Sequence, residues 1–316
     1  MIVAAGLTPA WQQIMRFGPL RLGEVNRARE VHSCGSGKVL NVAVAAAQLQ
    51  QPAAAVALVG EPQLGLIDRE FAQFGIARHW VRAERPTRVC TTVLESSGLD
   101  SPAAELHVER TTELVENAAP ATPAELEAFV GTYRQVIGGA QVAVLTGSLP
   151  AGTPASFYHT LLSHTTCPAV LDVRGPELLA ALPCKPLVVK PNREELEHTF
   201  GRSLERDDEL WGAVRELIDR GAQWVVVTHG KDPLWIASAV GRFQIAPPRM
   251  TVVNPIGSGD SLAAGIAVGI AQGLELLDAV RLGVAAACDN VRHLLPARFE
   301  YERVLELAGQ LHIKEV

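Results

Sequence analysis

The chain has 316 residues and is 48% hydrophobic, enough for one large domain with a full core plus a small appendage, which excludes a disordered or fibrous protein. A net charge of -6 leaves no reservoir of positive charge for tracking a phosphate backbone, so nucleic acid is not expected as a partner and any phosphate site must be local. Five scattered cysteines, Cys34, Cys90, Cys167, Cys184 and Cys288, lack CxxC spacing and suit a reducing compartment, with the cytoplasm as the expected location.

In chain order, Met1-Ile2-Val3-Ala4-Ala5-Gly6-Leu7 carries no positive n-region and predicts a first buried strand, Ile2 to Ala5, rather than a secretory signal. Residues 10 to 33 are richer in charge and break the apolar rhythm. A helix is predicted over Leu40 to Leu49 and a strand over Ala55 to Val59. Residues 87 to 112 again alternate, as in Arg88-Val89-Cys90-Thr91-Thr92-Val93-Leu94, and with residues 10 to 33 predict a small antiparallel sheet, either a lid or an edge hairpin without a role.

Beyond it, helical patterns at Pro123 to Ile137, Pro154 to Leu162, Arg193 to Phe200 and Asp207 to Arg220 alternate with apolar runs. Those runs, Val142 to Leu145, Ala169 to Asp172, Leu187 to Lys190 and Trp224 to Thr228, read as strands of a mostly parallel sheet. The fold class is therefore α/β, a doubly wound, mostly parallel sheet with helices on both faces. The division expected is a core of residues 1-9, 34-86 and 113-316 with a β-sheet lid of residues 10-33 and 87-112. Apolar runs such as Leu262 to Ile270 are shorter than the roughly 18 residues that span a bilayer, so no membrane association is expected.

The chemistry concentrates in Asn254-Pro255-Ile256-Gly257-Ser258-Gly259-Asp260, followed by a small-residue helix running to Ile270. Glycines before a buried helix expose backbone N–H groups, and the helix dipole adds positive potential there. A phosphoryl group can sit on them while an Asp takes the proton of an attacking hydroxyl. The competing reading is that Asp260 merely caps the helix. Lys190-Pro191-Asn192-Arg193-Glu194-Glu195 follows a strand, and its Asn192 and Glu195 are spaced to turn oxygens toward one hard cation, chiefly through water; the alternative is an ordinary acidic helix start. Thr228-His229-Gly230-Lys231 closes another strand where a nucleotide can lie. Gly35-Ser36-Gly37-Lys38 imitates the end of a P-loop and fails the test, since His32 and Val39 stand where glycine and Ser or Thr are required. Lys38 still offers a point charge and Arg88 a fork for a phosphate.

Taken in order, these segments resemble the PfkB-type, ribokinase-like carbohydrate kinases, in the branch containing 1-phosphofructokinase and tagatose-6-phosphate kinase. The resemblance also rests on Gly23-Glu24-Val25-Asn26-Arg27, Ser36-Gly37-Lys38-Val39-Leu40-Asn41, Thr87-Arg88, Thr112-Glu113-Leu114 and Thr146-Gly147-Ser148-Leu149-Pro150. It implies an ATP-dependent phosphotransferase acting on a ketohexose monophosphate, with ATP and Mg2+ and a lid that pairs two subunits in a homodimer. By the same resemblance Asp260 is the general base and the amides of Gly257, Ser258 and Gly259 form the anion hole. Lys190, Asn192, Thr228, Gly230 and Asn290 surround the nucleotide, and Asn192 and Glu195 the magnesium. Gln12, Arg27, Gly37, Lys38, Asn41 and Arg88 meet the sugar phosphate.

Departures from the branch pattern cluster on the sugar side. Gln12 replaces an acidic residue, Ser36 and Val39 replace glycines, Cys90 and Arg174 stand where smaller or amide-bearing residues are usual, and Pro255 replaces a common Thr. Two other readings remain: a kinase of an unphosphorylated sugar or nucleoside, and a sensor of nucleotide or sugar phosphate without turnover. A Rossmann dehydrogenase is set aside because Gly6-Leu7-Thr8-Pro9 does not supply GxGxxG.

Overall fold

The computed structural model describes residues 1–97 and 107–316. In chain order the first half runs β1 (Ile2–Gly6), β2 (Ala10–Phe17), β3 (Glu30–Ser36), α1 (Lys38–Gln48), β4 (Ala53–Gly60), α2 (Glu61–Gln73), β5 (Ala77–Ala83), β6 (Val89–Ser97), β7 (His107–Val115) and α3 (Pro123–Ile137). The second half runs β8 (Val142–Thr146), α4 (Phe157–Ser163), β9 (Ala169–Asp172), α5 (Pro176–Ala181), β10 (Val188–Val189), α6 (Arg193–Phe200), α7 (Asp207–Asp219), β11 (Trp224–His229), β12 (Asp232–Ser238), β13 (Arg242–Ile245), α8 (Ser258–Ala271), α9 (Leu276–Asn290), α10 (Tyr301–Gln310) and β14 (Ile313–Glu315).

Ten strands form one sheet in the order β14-β13-β12-β11-β10-β9-β8-β1-β4-β5. From β11 to β5 every pairing is parallel, while β12, β13 and β14 extend the edge antiparallel. The central strands read as unbroken apolar runs because both faces are covered. Alternate residues of β1 and β4 accordingly enter two separate cores. One holds the apolar faces of α1, α8 and α9, and the other those of α3, α4 and α7. Each fully buried Leu, Ile or Phe in them contributes on the order of 2 kcal/mol through the apolar surface it withdraws from water.

The small residues of α8 have a steric purpose. A Cβ on Gly265 would stand 2.5 Å from the Gly283 backbone, and one on Gly269 would stand 2.7 Å from Ala279. The close contact of α8 and α9 therefore depends on those glycines.

The second sheet has four strands in the order β3-β2-β6-β7. It is antiparallel at β2-β3 and β6-β7 but parallel at β2-β6, so the fully antiparallel sheet expected from the alternating pattern is corrected. The two inserts come from separate stretches of chain, and period-2 alternation carries no information on strand direction. The strands also run to Ser36 and Val115, beyond residues 33 and 112. Part of the predicted lid, residues 98–106, lies outside the described residues. Pro154 to Ser156, predicted as helical, precede α4, which begins at Phe157. Among the described residues no helix is long and apolar enough to cross a membrane.

Candidate active site

The carboxyl ends of β8, β9, β10 and β11 face the starts of α1 and α8, as expected of a parallel sheet whose helices begin at one rim. Asp260 is the third residue of α8, which begins after Gly257, a left-handed residue at φ 83°. A Cβ on Gly257 would also fall 2.8 Å from Pro296, so glycine is required there. The N–H of Ser258 donates to the Pro255 carbonyl at 3.3 Å. Those of Gly257, Gly259 and Asp260 have no acceptor among the described residues. Of the three amides expected to form an anion hole, those of Gly257 and Gly259 are free among the described residues and that of Ser258 is engaged.

Asp260 is buried, and its Oδ2 accepts from Asn41 Nδ2 at 2.7 Å. Asn41 is held in turn by Ser36, whose hydroxyl donates to Asn41 Oδ1 at 3.0 Å. Burial, and then the charge of Asp172, push the Asp260 carboxyl up to about 6, against the opposing effects of Lys38, Asn41 and Lys190. A carboxylate poised there is ionised at neutral pH yet basic enough to accept a proton.

Asp172 is the last residue of β9, and in the sequence nothing marks it beyond a strand end. In the structure it is the electrostatic centre of the site. Its Oδ1 lies 3.1 Å from Lys38 Nζ and 3.2 Å from Lys190 Nζ. Burial disfavours its charge, but the two ammonium groups outweigh that and hold its carboxyl below the usual range. Lys38 also meets Glu195 Oε1 at 3.0 Å. Burial works against the Lys38 ammonium, but Asp172, Glu195 and Asp260 raise it above its ordinary value. Lys190 Nζ lies 3.6 Å from where a Cβ on Gly259 would be, which sets a cation beside the amides of the α8 start.

Asn192 and Glu195 form a reciprocal cap on α6. Asn192 Oδ1 accepts from the Glu195 N–H at 2.6 Å, and Glu195 Oε2 accepts from the Asn192 N–H at 2.9 Å. With Oε1 also on Lys38, this donor set fits a hard cation held through its own waters rather than one caged directly. Among the described residues no group of three or more His, Cys, Asp or Glu is arranged to hold a metal. Thr228 and Gly230 stand at the end of β11, where Gly230 has φ 56° and open space around its Cβ position.

Six further expected contacts have the following surroundings. Asn290 is fully buried, donates to the Ile256 carbonyl at 3.0 Å and accepts from the Ala297 N–H at 2.6 Å. Its amide braces the loop before α8. Lys38 and Arg88 have different partners: Lys38 is matched by carboxylates, while Arg88 rests on the carbonyls of Thr8, Pro9 and Glu116 at 3.3–3.4 Å and makes no ion pair among the described residues. Arg27 is exposed in the loop between β2 and β3. Gln12 is buried in β2 and donates to Thr92 Oγ1 at 2.7 Å, and Gly37, at φ 84°, lets the start of α1 pass Thr8 and Ala10, where a Cβ would come within 2.9 Å of both backbones.

Solved structures share this architecture. A possible 1-phosphofructokinase from Thermotoga maritima superposes with a TM-score of 0.88 at 18% identity, over 100% of this chain and 99% of that one. Phosphofructokinase-2 from Escherichia coli, solved with substrates and products, gives 0.85 at 23% identity over 98% of both chains. Arabidopsis thaliana ribokinase, complexed with ribose and ATP, gives 0.72 at 20% identity over 97% of this chain and 98% of that one. At these identities the likeness concerns the fold, which is ribokinase-like. Residues 11–297 match the profile of the pfkB family carbohydrate kinases, and the chain belongs to that family.

Proposed function

We propose that this ATP-dependent sugar kinase phosphorylates a hydroxyl of a ketohexose monophosphate, of the fructose 1-phosphate, fructose 6-phosphate or tagatose 6-phosphate type, with Asp260 as general base. The observation that carries the reading is Asp260 in the first turn of α8, beside free N–H groups of Gly257 and Gly259 and next to Lys190. Asp260 takes the proton as the hydroxyl oxygen bonds to the γ-phosphorus and the bond to the β-phosphate oxygen breaks, releasing ADP. The two amides and the Lys190 ammonium meet the charge on the transferring group. A magnesium ion carried in by the nucleotide supplies neutralisation of its phosphate oxygens, and Asn192 and Glu195 would hold it through water. Thr228 and Gly230 flank the nucleotide.

On the acceptor side, Gln12 and Asn41 meet sugar hydroxyls and Arg88 the phosphate, beside a 30 Å³ cavity lined by Leu7, Thr8, Pro9 and Thr87 among others. Because Lys38 already has two carboxylate partners, only Arg88 argues for a phosphorylated acceptor, and that keeps an unphosphorylated sugar as the second reading. The test is ADP release with ATP, magnesium and a panel of fructose 1-phosphate, fructose 6-phosphate, tagatose 6-phosphate, fructose, ribose and adenosine. Turnover confined to unphosphorylated acceptors overturns the assignment, and no turnover with any of them favours an acceptor outside the panel or the sensor.

The lid exposes Leu22, Val25, Val31, Leu114 and Val115, and β3 and β7 end its sheet without a described neighbour. These features support a homodimer joined through the lid. Light scattering of the wild type against Leu22→Glu/Val25→Glu measures it, and unchanged mass in the double variant argues against this surface.

A further inference from the structure

Ser36 closes β3, and its side chain is turned inward and buried. Its hydroxyl donates to Asn41 Oδ1 at 3.0 Å, and Asn41 Nδ2 donates to Asp260 Oδ2 at 2.7 Å. Each of the three residues is at least nine-tenths buried. We propose that Ser36 is a positioning residue for the catalytic base: it anchors the far oxygen of the Asn41 amide so that the amide nitrogen stays on the Asp260 carboxylate. The proposal deepens the assignment of Asp260 as base and rests on it.

The hydrogen-bonding inventory supports a fixed direction. An ionised carboxylate only accepts, whereas a hydroxyl both donates and accepts. Turning the Asn41 amide over would set its oxygen against the Asp260 carboxylate, two acceptors facing each other. The ionised base therefore selects the observed orientation, and the Ser36 hydroxyl completes it by donating to Asn41 Oδ1, a chain of donors that ends on the charge. Such a chain favours the charged form of the acid at its end. Without the hydroxyl, Asn41 Oδ1 has no partner among the described residues, the amide is no longer polarised or anchored at its far end, and its hydrogen bond to the ionised carboxylate weakens, which favours the neutral acid.

The charged groups facing Asp260 are Lys38 on α1, Asp172 at the end of β9 and Lys190 after β10, while α9 contributes the neutral Asn290, bonded to Ser261 in the same helix turn. None of these contacts passes through Ser36. Its removal consequently acts on Asp260 through Asn41 alone.

The test titrates Asp260 directly by carbon NMR of protein labelled at the aspartate carboxyl carbons, with Asp260→Asn assigning the signal. Ser36→Ala and Ser36→Gly should each raise the Asp260 midpoint by about one pH unit, and Ser36→Thr, which keeps the hydroxyl, should return it toward wild type. The acid limb of kcat should move up by the same amount with the accepting sugar found in the panel, activity being recovered at high pH. A midpoint unchanged in both Ser36→Ala and Ser36→Gly overturns the proposal, including where the melting temperature alone falls. If the midpoint moves but Asp260→Asn retains near-normal turnover, the base assignment fails while the positioning role stands.

Discussion

Lys190 Nζ lies 3.2 Å from Asp172 Oδ1, an ion pair in which both side chains are almost fully withdrawn from solvent. Lys38 shares the same oxygen, so one carboxylate orders two cations that would otherwise repel each other beside the start of α8. The partly exposed Lys38 has Glu195 as a second partner, but Lys190 has no other ion pair among the described residues.

Replacing Asp172 with Asn should therefore leave Lys190 buried without its counter-charge. Breaking a buried pair on one side costs about 3–5 kcal/mol, and the retained amide oxygen places the loss near the lower end. Asp172 is also the largest charge pushing the Asp260 carboxyl up, so its neutralisation should move the acid limb of kcat/KM to lower pH. Urea unfolding and pH–rate profiles of Asp172→Asn measure the two effects. A stable variant with an unmoved limb would remove Asp172 from the electrostatics of the site.

The same raised carboxyl makes a prediction about stability. In the unfolded chain Asp260 titrates near 3.8 and in the fold at about 6, so between these values the native state binds the proton more tightly. The stabilising contribution of the protonated acid is complete below pH 3.8 and is lost as pH rises through 6. Above that the buried charge costs on the order of 3 kcal/mol. Asp260→Asn should accordingly melt several degrees above wild type at pH 8, with the difference shrinking as pH falls from 6 to 4. Its kcat should fall at least about a hundredfold, the lower range for general acid-base assistance. Calorimetry across pH on both proteins follows the first effect and steady-state turnover the second.

Much of this was legible in the sequence, for identifiable reasons. Strands such as Val142–Thr146 and Ala169–Asp172 are buried on both faces, so they appear as uninterrupted apolar runs, and the start of α8 is announced by its glycines. Asp172 was overlooked because a single acid at a strand end carries no local pattern; its role comes from Lys38, which is 134 residues away, and from Lys190. The bracing contacts of Asn290 are hidden for a related reason: its partners Ile256 and Ala297 belong to loops whose packing no periodicity encodes. Ser36 stood out only as a departure from glycine, and the meaning of its hydroxyl depends on Asn41 being one turn into α1. At the antiparallel edge β13 and β14 are only four and three residues long, and β12 buries a continuous run, so none of the three shows a clear alternation.

Gly257 and Gly259 are two residues apart and should fail in different ways when each is changed to Ala. Gly257 has φ 83° and a blocked Cβ position, so Gly257→Ala adds both backbone strain and a clash with Pro296. Strain of this kind costs on the order of 1–3 kcal/mol before any clash is counted. At Gly259 the nearest atom to a new Cβ is Lys190 Nζ at 3.6 Å, an ordinary contact. Gly259→Ala should fold with wild-type stability but put a methyl group between Lys190 and the transferring phosphoryl, lowering kcat by tenfold or more. Thermal melts paired with kcat separate the two. Equal loss of stability in both variants would show that Gly259 is needed by the fold rather than by the reaction.

Asn290 offers the sharpest contrast between the expected and the observed role. A side chain lining an adenine pocket would affect the KM for ATP and leave the fold unaffected when removed. The observed Asn290 closes α9 and ties Ile256 to Ala297 with its amide, while Asn254 fastens the same loop to the Leu294 carbonyl at 2.8 Å. Deleting a buried amide with two backbone partners leaves a buried carbonyl and a buried N–H unpaired, at about 1–3 kcal/mol each. Asn290→Ala should thus unfold at clearly lower urea concentration. Because residues 254 to 257 set the start of α8, its kcat should also fall several-fold even at saturating ATP. If the variant shows wild-type stability and kcat with only a raised KM for ATP, the bracing role is wrong and the nucleotide contact is restored.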